Sequence, residues 1–310
     1  MRISRYGKYW LVVLMLSLSG CQEDFSPKGP FENQFVIYSV ITTARDLQFV
    51  RVYTNYDVPG FDPLENTVDH PVTGARVVVS GPGGIYVFRD TLIPRQDKSR
   101  YASPIAAYVA NWRPRPGETY VLDVSADNIG AATASVTLPQ KSSPLDWSPN
   151  TMILDSPDSV KQYSSFYGYG KMTQQTKAYV YQMTIEYDVL RVEGWRRESV
   201  VIPTLTTVYK SYTNASGYCS KSTYVETLEQ IAGRYKNTKL TFRKLVFRLL
   251  QLEENWYNYY STVRQFQDPF SIRLDEPDFT NLSNGYGLFA GSTMDSLIHV
   301  YPDNFKYHNR

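Results

Sequence analysis

The chain has 310 residues, 42% of them hydrophobic, and its 32 Lys and Arg nearly balance its 30 Asp and Glu. This length accommodates two ordinary domains or one large one. The small net charge argues against nucleic acid or an anionic membrane surface as the main partner, because both bind through concentrated positive charge. Aromatic residues make up 15% of the chain and include 26 tyrosines, which favours half-buried sheet faces and wet interfaces.

The N-terminus carries the pattern of a bacterial export signal. Three basic residues precede the apolar segment Trp10–Leu18, and small residues lead from there to Cys21. This segment is too short for a membrane-spanning helix, which needs about 20 apolar residues. We therefore expect residues 1–20 to be a secretory signal peptide. Leu18-Ser19-Gly20-Cys21 resembles the lipobox of bacterial lipoproteins, which predicts lipid attachment to Cys21. The alternative is an ordinary signal peptide with a chance cysteine.

Residues 21–34 are predicted to be a lipidated tether, with acyl chains such as palmitate on Cys21. Two prolines, a glycine and several charges leave this segment little surface to bury. Fully extended, it spans up to about 45 Å. The acidic pair Glu23-Asp24 resembles signals that carry some Bacteroidota lipoproteins to the cell surface, and linker solubility explains the same pair equally well. We expect a lipid-anchored protein of the outer membrane, with surface exposure left open.

Residues 35–140 contain short strand patterns separated by turn signals. The first strand is predicted at Phe35–Ile41, with Leu47–Tyr53 as its hairpin partner. The segment Gly81-Pro82-Gly83-Gly84 is interpreted as a hairpin turn, because no helix pattern follows it and no Lys-Ser/Thr completes a phosphate-binding loop. Apolar and polar residues alternate in Glu118–Ser125. Six or seven short strands without a helical period predict an immunoglobulin-like β-sandwich.

Residues 141–310 are predicted to form a second β-rich domain, because the proline- and serine-rich stretch Pro139–Pro157 marks a boundary. Strict alternation in Lys177–Leu190 predicts a half-buried antiparallel strand. Residues 211–238 are ambiguous, and a short helix over Thr223–Gly233 is one interpretation. Aromatic residues at helical spacing predict one packed helix near residues 253–267, with acidic residues in its first turn. The predicted fold class is therefore mainly β.

The sequence offers little that resembles an active site. It contains no Gly-x-Ser-x-Gly segment for a serine nucleophile. Cys219 is expected to be a small buried side chain, because only three histidines are available to activate a thiol. The nearest metal-like constellation is Asp295, His299, Asp303 and His308. A strand pattern there spreads the first two over about 13 Å, so we predict no metal, no cofactor and no catalytic residue.

Several segments, taken in order, carry a resemblance to a known family. They are Leu18–Cys21, Pro71–Val77, Pro116–Leu122, the aromatic helix ending at Asp268-Pro269-Phe270, and Asn281–Gly291. In these segments the chain resembles domain-of-unknown-function family number 4249 of Bacteroidota lipoproteins. The resemblance implies an outer-membrane lipoprotein, often encoded beside TonB-dependent receptors, with an N-terminal immunoglobulin-like sandwich. It implies no catalytic residues.

Three functions remain open from the sequence. The first, which we expect, is a non-enzymatic accessory lipoprotein that docks on an outer-membrane β-barrel receptor and helps to bind or import a ligand. The second is a free-standing surface protein that binds a glycan or a peptide. Its candidate ligand-binding residues are Trp112, Trp147 and Trp195, which lie in or near predicted loops. The third is a hydrolase with an unrecognised site, which the scarcity of histidines and nucleophile motifs disfavours.

Overall fold

A computed structural model describes residues 30–57, 66–99, 101–142, 145–148, 165–204, 208–210, 213–265, 279–303 and 305. The chain divides into two compact units, Met1–Asn33 and Gln34–Arg310. Within the first unit, the described residues 30–33 form neither helix nor strand and are largely exposed. All the elements described below belong to the second unit. The predicted signal peptide and Cys21 lie outside the described residues.

The second unit is mainly β. Its strands are β1 Phe35–Thr42, β2 Leu47–Thr54, β3 Arg76–Gly81, β4 Gly84–Val87, β5 Arg89–Ile93, β6 Ile105–Asn111, β7 Thr119–Ala126, β8 Gly130–Thr137, β9 Leu145–Ser148, β10 Ser165–Lys171, β11 Ala178–Arg191, β12 Gly194–Val201, β13 Tyr209–Lys210, β14 Asn214–Ser220, β15 Leu240–Leu252 and β16 Gly285–Val300. Its helices, in the part of the chain described, are α1 Lys221–Arg234 and α2 Glu254–Gln265.

One nine-stranded sheet runs through the unit in the order β12-β11-β15-β16-β1-β2-β6-β5, with β13 added beside β11. Strand β16 holds it together, because its first half pairs in parallel with β1 and its second half pairs antiparallel with β15. Gly287 allows this close approach, since its φ is +114° and an added Cβ would lie 2.0 Å from the carbonyl oxygen of Ile37. Strands from both sides of the predicted boundary near residue 140 therefore share this sheet.

The half of the large sheet that contains β1, β2, β6 and β5 is covered by a four-stranded sheet of order β4-β3-β7-β8. Alternation on β7 turns Tyr120, Leu122 and Val124 inward, as the sequence predicts, and they join Phe35 and Phe289 in one core. Burying a large apolar side chain of this kind stabilises the fold by about 1.5–3 kcal/mol. The two sheets enclose this core in a sandwich layout. The predicted turn at residues 81–84 is confirmed, with Gly81 paired to Gly84.

The half of the large sheet that contains β11 and β15 is covered by the three-stranded sheet β14-β10-β9 and by α1. The alternation predicted for β11 is confirmed, and its inward residues are Tyr179, Tyr181, Met183, Ile185, Tyr187 and Val189. The ambiguous segment 211–238 contains strand β14 followed by α1. Helix α1 begins after Ser220, whose hydroxyl accepts a hydrogen bond from the backbone N–H of Thr223 at 3.1 Å.

The predicted aromatic helix is confirmed as α2, which packs on β16. The carboxylate of Glu253 accepts hydrogen bonds from the backbone N–H groups of Asn255 and Trp256 at 2.7 and 2.9 Å, which satisfies donors of the first turn. It also accepts one from the N–H of Gly291 on β16. Burial raises the pKa of the Glu253 carboxyl above its ordinary value. The predicted end of this helix at Asp268-Pro269 lies outside the described residues.

Candidate functional site

Two of the three tryptophans proposed as ligand-binding residues are buried. Trp112 is 8% exposed, with its ring stacked on Tyr86 at 4.5 Å between centroids and with Phe88 against its edge. Trp147 is 5% exposed on the inward face of β9, where it contacts Phe166 and Phe247. The expectation that these two side chains are exposed in loops is wrong. Their large aromatic surfaces contribute to the two cores instead.

Trp195 is 54% exposed at the end of the β11–β12 hairpin. It pairs directly with Leu190 across the two strands, and Val192 in the connecting turn is fully exposed. Gly194 closes the turn with a φ of +114°, a conformation that favours glycine. We call residues 190–195 the hairpin tip. It concentrates three exposed apolar side chains on a projecting turn.

An ion-pair network fixes the strands behind the hairpin tip. Asp188 on β11 accepts hydrogen bonds from Arg197 on β12 at 2.9 Å and from Arg243 on β15 at 2.6 Å. These two guanidinium groups, Arg197 foremost, lower the pKa of the Asp188 carboxyl below its ordinary value. Arg243 is the extra residue of a bulge in β15, because neighbouring residues of β11 pair with Phe242 and Lys244 on either side of it.

A second ion pair lies closer to the hairpin tip. Arg191 contacts Glu198 across the hairpin at 2.7 Å, and the hydroxyl of Tyr235 donates a hydrogen bond to the other oxygen of the same carboxylate. Arg191, then Tyr235, lower the pKa of the Glu198 carboxyl. Asp188 and Glu198 are thus both paired with arginines. Glu193 in the tip and the neighbouring Arg196 are both exposed and carry opposite charges.

The three-stranded sheet presents a second exposed aromatic surface. Alternation on β10 and β14 turns Tyr167, Tyr169 and Tyr218 outward, and each is between 38% and 46% exposed. Tyr167 and Tyr218 are cross-strand partners whose ring centroids lie 5.4 Å apart. Tyr169 follows on the same face of β10, about 7 Å further along the strand. We call these three residues the tyrosine face.

Glycines on the opposite side of this sheet explain its orientation. A Cβ on Gly168 would lie 2.6 Å from the ring of Phe247, and one on Gly217 would lie 2.4 Å from the same ring. Gly217 also faces Tyr181 of β11. Only glycine lets the two sheets approach this closely at these two positions, and the tyrosines that alternate with Gly168 and Gly217 point outward. The repeat Tyr167-Gly168-Tyr169-Gly170 is the sequence signal that could have revealed both the strand and its exposed face.

Comparison with known proteins identifies the family. Residues 22–298 match the family described as "Domain of unknown function (DUF4249)". The chain belongs to the DUF4249 family. No protein of curated function matches this DUF4249 chain.

Among solved structures, the DUF4249 chain is similar to the crystal structure of a DUF4785 family protein from Legionella pneumophila. The identity is 8% and the TM-score 0.22, and the similarity covers 69% of this chain and 52% of the Legionella protein. The DUF4249 chain thus spans about half the length of that structure. A similarity at this level carries no inference about ligand or activity.

Three further groups that the sequence singled out, Cys219, Asp295 and His299, are buried in the DUF4249 chain. Cys219 is buried, as predicted, and burial raises the pKa of its thiol to about 12, which suppresses thiolate formation at neutral pH. Asp295 accepts hydrogen bonds from the backbone N–H and hydroxyl of Ser142 and from the amide of Gln251, at 2.7–2.9 Å. His299 is buried on the same strand. The hydrogen bonds of Asp295 with Ser142 join the segment after β8 to the centre of the large sheet.

Two findings concern the described residues as a set. They contain no group of three or more His, Cys, Asp or Glu side chains placed to hold a metal ion. Among them, none of the helices has the length and apolar character needed to cross a membrane. His308, a member of the constellation noted in the sequence, lies outside the described residues.

Proposed function

We propose that this DUF4249 protein is a lipid-anchored, non-enzymatic lipoprotein of the outer membrane that serves as an accessory to a TonB-dependent receptor in ligand binding or uptake. The lipobox-like segment ending at Cys21 supports the anchor. Several buried acyl chains hold a protein at a membrane durably, since each CH₂ contributes about 0.8 kcal/mol. Confinement to the membrane then raises its effective concentration near a receptor.

The observation that carries the docking role is the position of the hairpin tip. Strand β1 enters the large sheet beside Gly285, at the start of β16, and β16 is 16 residues long. The hairpin tip lies past the other end of β16. Val300, the last residue of β16, pairs with Lys244 of β15, and β15 continues beyond this point to Leu240, which pairs with Val189 of β11. At about 3.3 Å per residue, Val300 is about 50 Å along the strand direction from Phe35, and the tip lies beyond it. The tip is thus at the opposite end of the large sheet from Phe35, the first residue of its strand β1.

The chemistry of the hairpin tip fits a protein partner. Exposed tryptophan and arginine are the residues that most often act as binding hot spots. Trp195 and Leu190 form a paired apolar patch, Val192 projects beyond it, and the exposed Glu193 and Arg196 carry opposite charges beside it. We therefore expect the occupant to be a loop of the receptor barrel with exposed apolar side chains.

Affinity purification of the tagged, lipidated protein from gently solubilised membranes tests this proposal. The proposal predicts a stoichiometric β-barrel partner for the wild-type protein and its loss from the double variant Val192→Ser/Trp195→Ala. The matched control is Ile85→Ser/Val87→Ala, which removes equally exposed apolar side chains from β4. A wild-type protein that purifies alone, or a tip variant that retains the barrel as well as the control does, contradicts the docking role.

A second candidate function, a free-standing lipoprotein that binds a glycan or a peptide at the surface, is supported by the tyrosine face. This surface lies on a different sheet from the hairpin tip and presents aromatic rings to solvent. Of the residues that the sequence suggested for such binding, Trp195 is exposed, and its role stays a prediction. The tyrosine face suits a ligand in the accessory and the free-standing protein alike.

A further inference from the structure

We infer that the tyrosine face is a binding surface for a neutral oligosaccharide. The inference rests on the ligand-binding role of the proposed function and deepens it by naming the ligand class. It needs no contact with the receptor, since the face and the hairpin tip belong to different sheets. The aromatic rings supply the apolar contacts, and polar side chains between and around them supply hydrogen bonds.

The first step of the argument is the arrangement of the rings. Tyr167 and Tyr218 form a contacting pair across two strands, with an angle of 57° between their planes. Tyr169 stands on the same face beyond this pair. None of the three hydroxyls forms a hydrogen bond within the part of the chain that the structure describes. Their donors and acceptors are thus available to a ligand at the edge of an apolar surface.

The second step is the set of polar neighbours. Register pairing places Ser148 beside Tyr167, and Asp146 and Ser216 on either side of Tyr169. Lys171 and Asn214 pair at the next outward position. All five polar side chains are exposed, and they are Asp146, Ser148, Lys171, Asn214 and Ser216. Hydroxyl, amide and charged groups therefore lie between and beside the rings across the three strands, whose neighbours are about 4.8 Å apart.

The third step is the charge of the surface. Asp146 and Lys171 carry opposite charges, so the face is balanced, and it lacks the concentrated positive charge that an anionic polymer requires. An extended peptide would require a free strand edge or side-chain pockets. The tyrosine face is instead the flat side of a sheet, where the side chains point outward from the strands. Sugar rings present apolar C–H faces bordered by hydroxyls. A neutral chain of sugars complements aromatic rings interspersed with small polar groups.

The fold itself does not explain why three tyrosines stand here. The sheet is held from its inner side, where its glycines let it approach Phe247 and Tyr181 closely. An exposed cross-strand pair adds only about 0.2–1 kcal/mol to a sheet. Smaller residues that favour β-strands would also suit these outward positions of the sheet. Three large rings collected on one exposed face point to a ligand.

Calorimetric titration of the mature, lipidated protein tests the inference. The detergent is a polyoxyethylene ether, because detergents with sugar headgroups would compete for the face. The probes are cellohexaose, xylohexaose, maltohexaose and chitohexaose, each titrated without any receptor present. We expect saturable binding of at least one probe. The variant Tyr167→Ala/Tyr218→Ala should bind it at least about tenfold more weakly, since each lost aromatic contact contributes substantially.

Two further variants complete the experiment. Tyr286→Ala removes an equally exposed tyrosine from β16 and should leave the affinity unchanged. Tyr169→Ala, which breaks no cross-strand ring pair, should weaken binding several-fold and provides the test if the double variant fails to fold by circular dichroism. Absence of binding to all four probes, undiminished binding by the tyrosine-face variants, or an equal loss in Tyr286→Ala overturns the inference. Loss of receptor copurification alone contradicts only the docking role.

Discussion

At the scale of single residues, small side chains decide where the large ones go. Gly168 and Gly217 let the three-stranded sheet approach the large sheet, and Gly287 lets β1 and β16 pair in parallel. Each of these positions has ring or backbone atoms where a Cβ would be. The outward orientation of Tyr167 and Tyr218 follows from that packing. The glycines therefore determine the exposed surface without being part of it.

The substitution Gly217→Ala should destabilise the protein by about 1–3 kcal/mol, because the added methyl group overlaps Phe247 and Tyr181. The matched control is Gly233→Ala in α1, where an added Cβ has open space and alanine is the better helix former. The control should stabilise the protein slightly. Urea unfolding of the three proteins measures the difference, and a Gly217→Ala protein as stable as wild type would refute the close packing.

The thiol of Cys219 should resist alkylation in the folded protein. Burial raises its pKa to about 12, so almost no thiolate is present at pH 8 and the sulfur is also shielded from reagent. Iodoacetamide labelling followed by peptide mass spectrometry should show modification of Cys219 only after denaturation. Rapid labelling at pH 8 without denaturant would contradict the burial described for β14.

At the scale of elements, the β11–β12 hairpin is a projection anchored by charge. Asp188 contacts arginines on both neighbouring strands, and one of them, Arg243, is the extra residue of the bulge in β15. Its side chain is largely buried, whereas Arg197 and Arg243 are partly exposed and therefore screened. The network orients the hairpin behind its apolar tip. Loss of Asp188 should loosen that orientation while leaving both cores intact.

The substitution Asp188→Asn should lower stability at pH 7 by about 1 kcal/mol, because it removes charge-assisted hydrogen bonds. The folded-state pKa of Asp188 is below its ordinary value of 3.8, so its stabilising effect is complete above about pH 4 and is lost as the pH falls through that folded-state pKa. The difference in unfolding free energy between wild type and variant should therefore shrink in acid.

The control for this prediction is Asp46→Asn. Asp46 forms an ion pair with Arg113 at 2.7 Å, and both side chains are 60% exposed. Exposed pairs contribute little to stability, so this variant should resemble wild type at every pH. If Asp188→Asn shows the same small, pH-independent effect as Asp46→Asn, the network does not stabilise the hairpin.

At the scale of the whole molecule, one long strand makes a single sheet from the two halves of the chain. Local alternation in β7 and β11 predicts those strands, and helical spacing predicts α2, because each pattern depends on neighbours in sequence. The pairing of β1 with β16 joins residues about 250 positions apart, which no local pattern encodes. The boundary at residue 140 was inferred from composition, which carries no information about such pairing.

The candidate surfaces were predictable only in part. Trp195 is at an exposed hairpin, as its glycine-containing turn suggests. Trp147 packs inward because its position on β9 faces the core, and Trp112, which follows β6, packs inward against Tyr86. Aromatic composition alone does not distinguish an inward ring from an outward one. The tyrosine face depends on the pairing of β10 with β14, and the sequence leaves the segment of β14 ambiguous. Exposure is therefore a property of tertiary packing that single strands specify incompletely.

The substitution Cys21→Ala should leave the folded unit unchanged and abolish its membrane association. The strands and both cores lie in Gln34–Arg310, so the fold has no need of the lipid. Cell fractionation should find the variant released from the membrane, with wild-type circular dichroism. A variant that remains in the membrane fraction, or one that functions fully when released, would contradict the role assigned to the anchor.

Site-specific photo-crosslinking in intact cells tests docking most directly. A photoreactive amino acid at position 192, in the fully exposed turn of the hairpin tip, should form an adduct with an outer-membrane β-barrel receptor. The same probe at the exposed position 85 on β4 should form none. Barrel adducts from position 192 alone would establish the tip as the docking site. No barrel adduct from position 192, or equal yields from both positions, would contradict the accessory role.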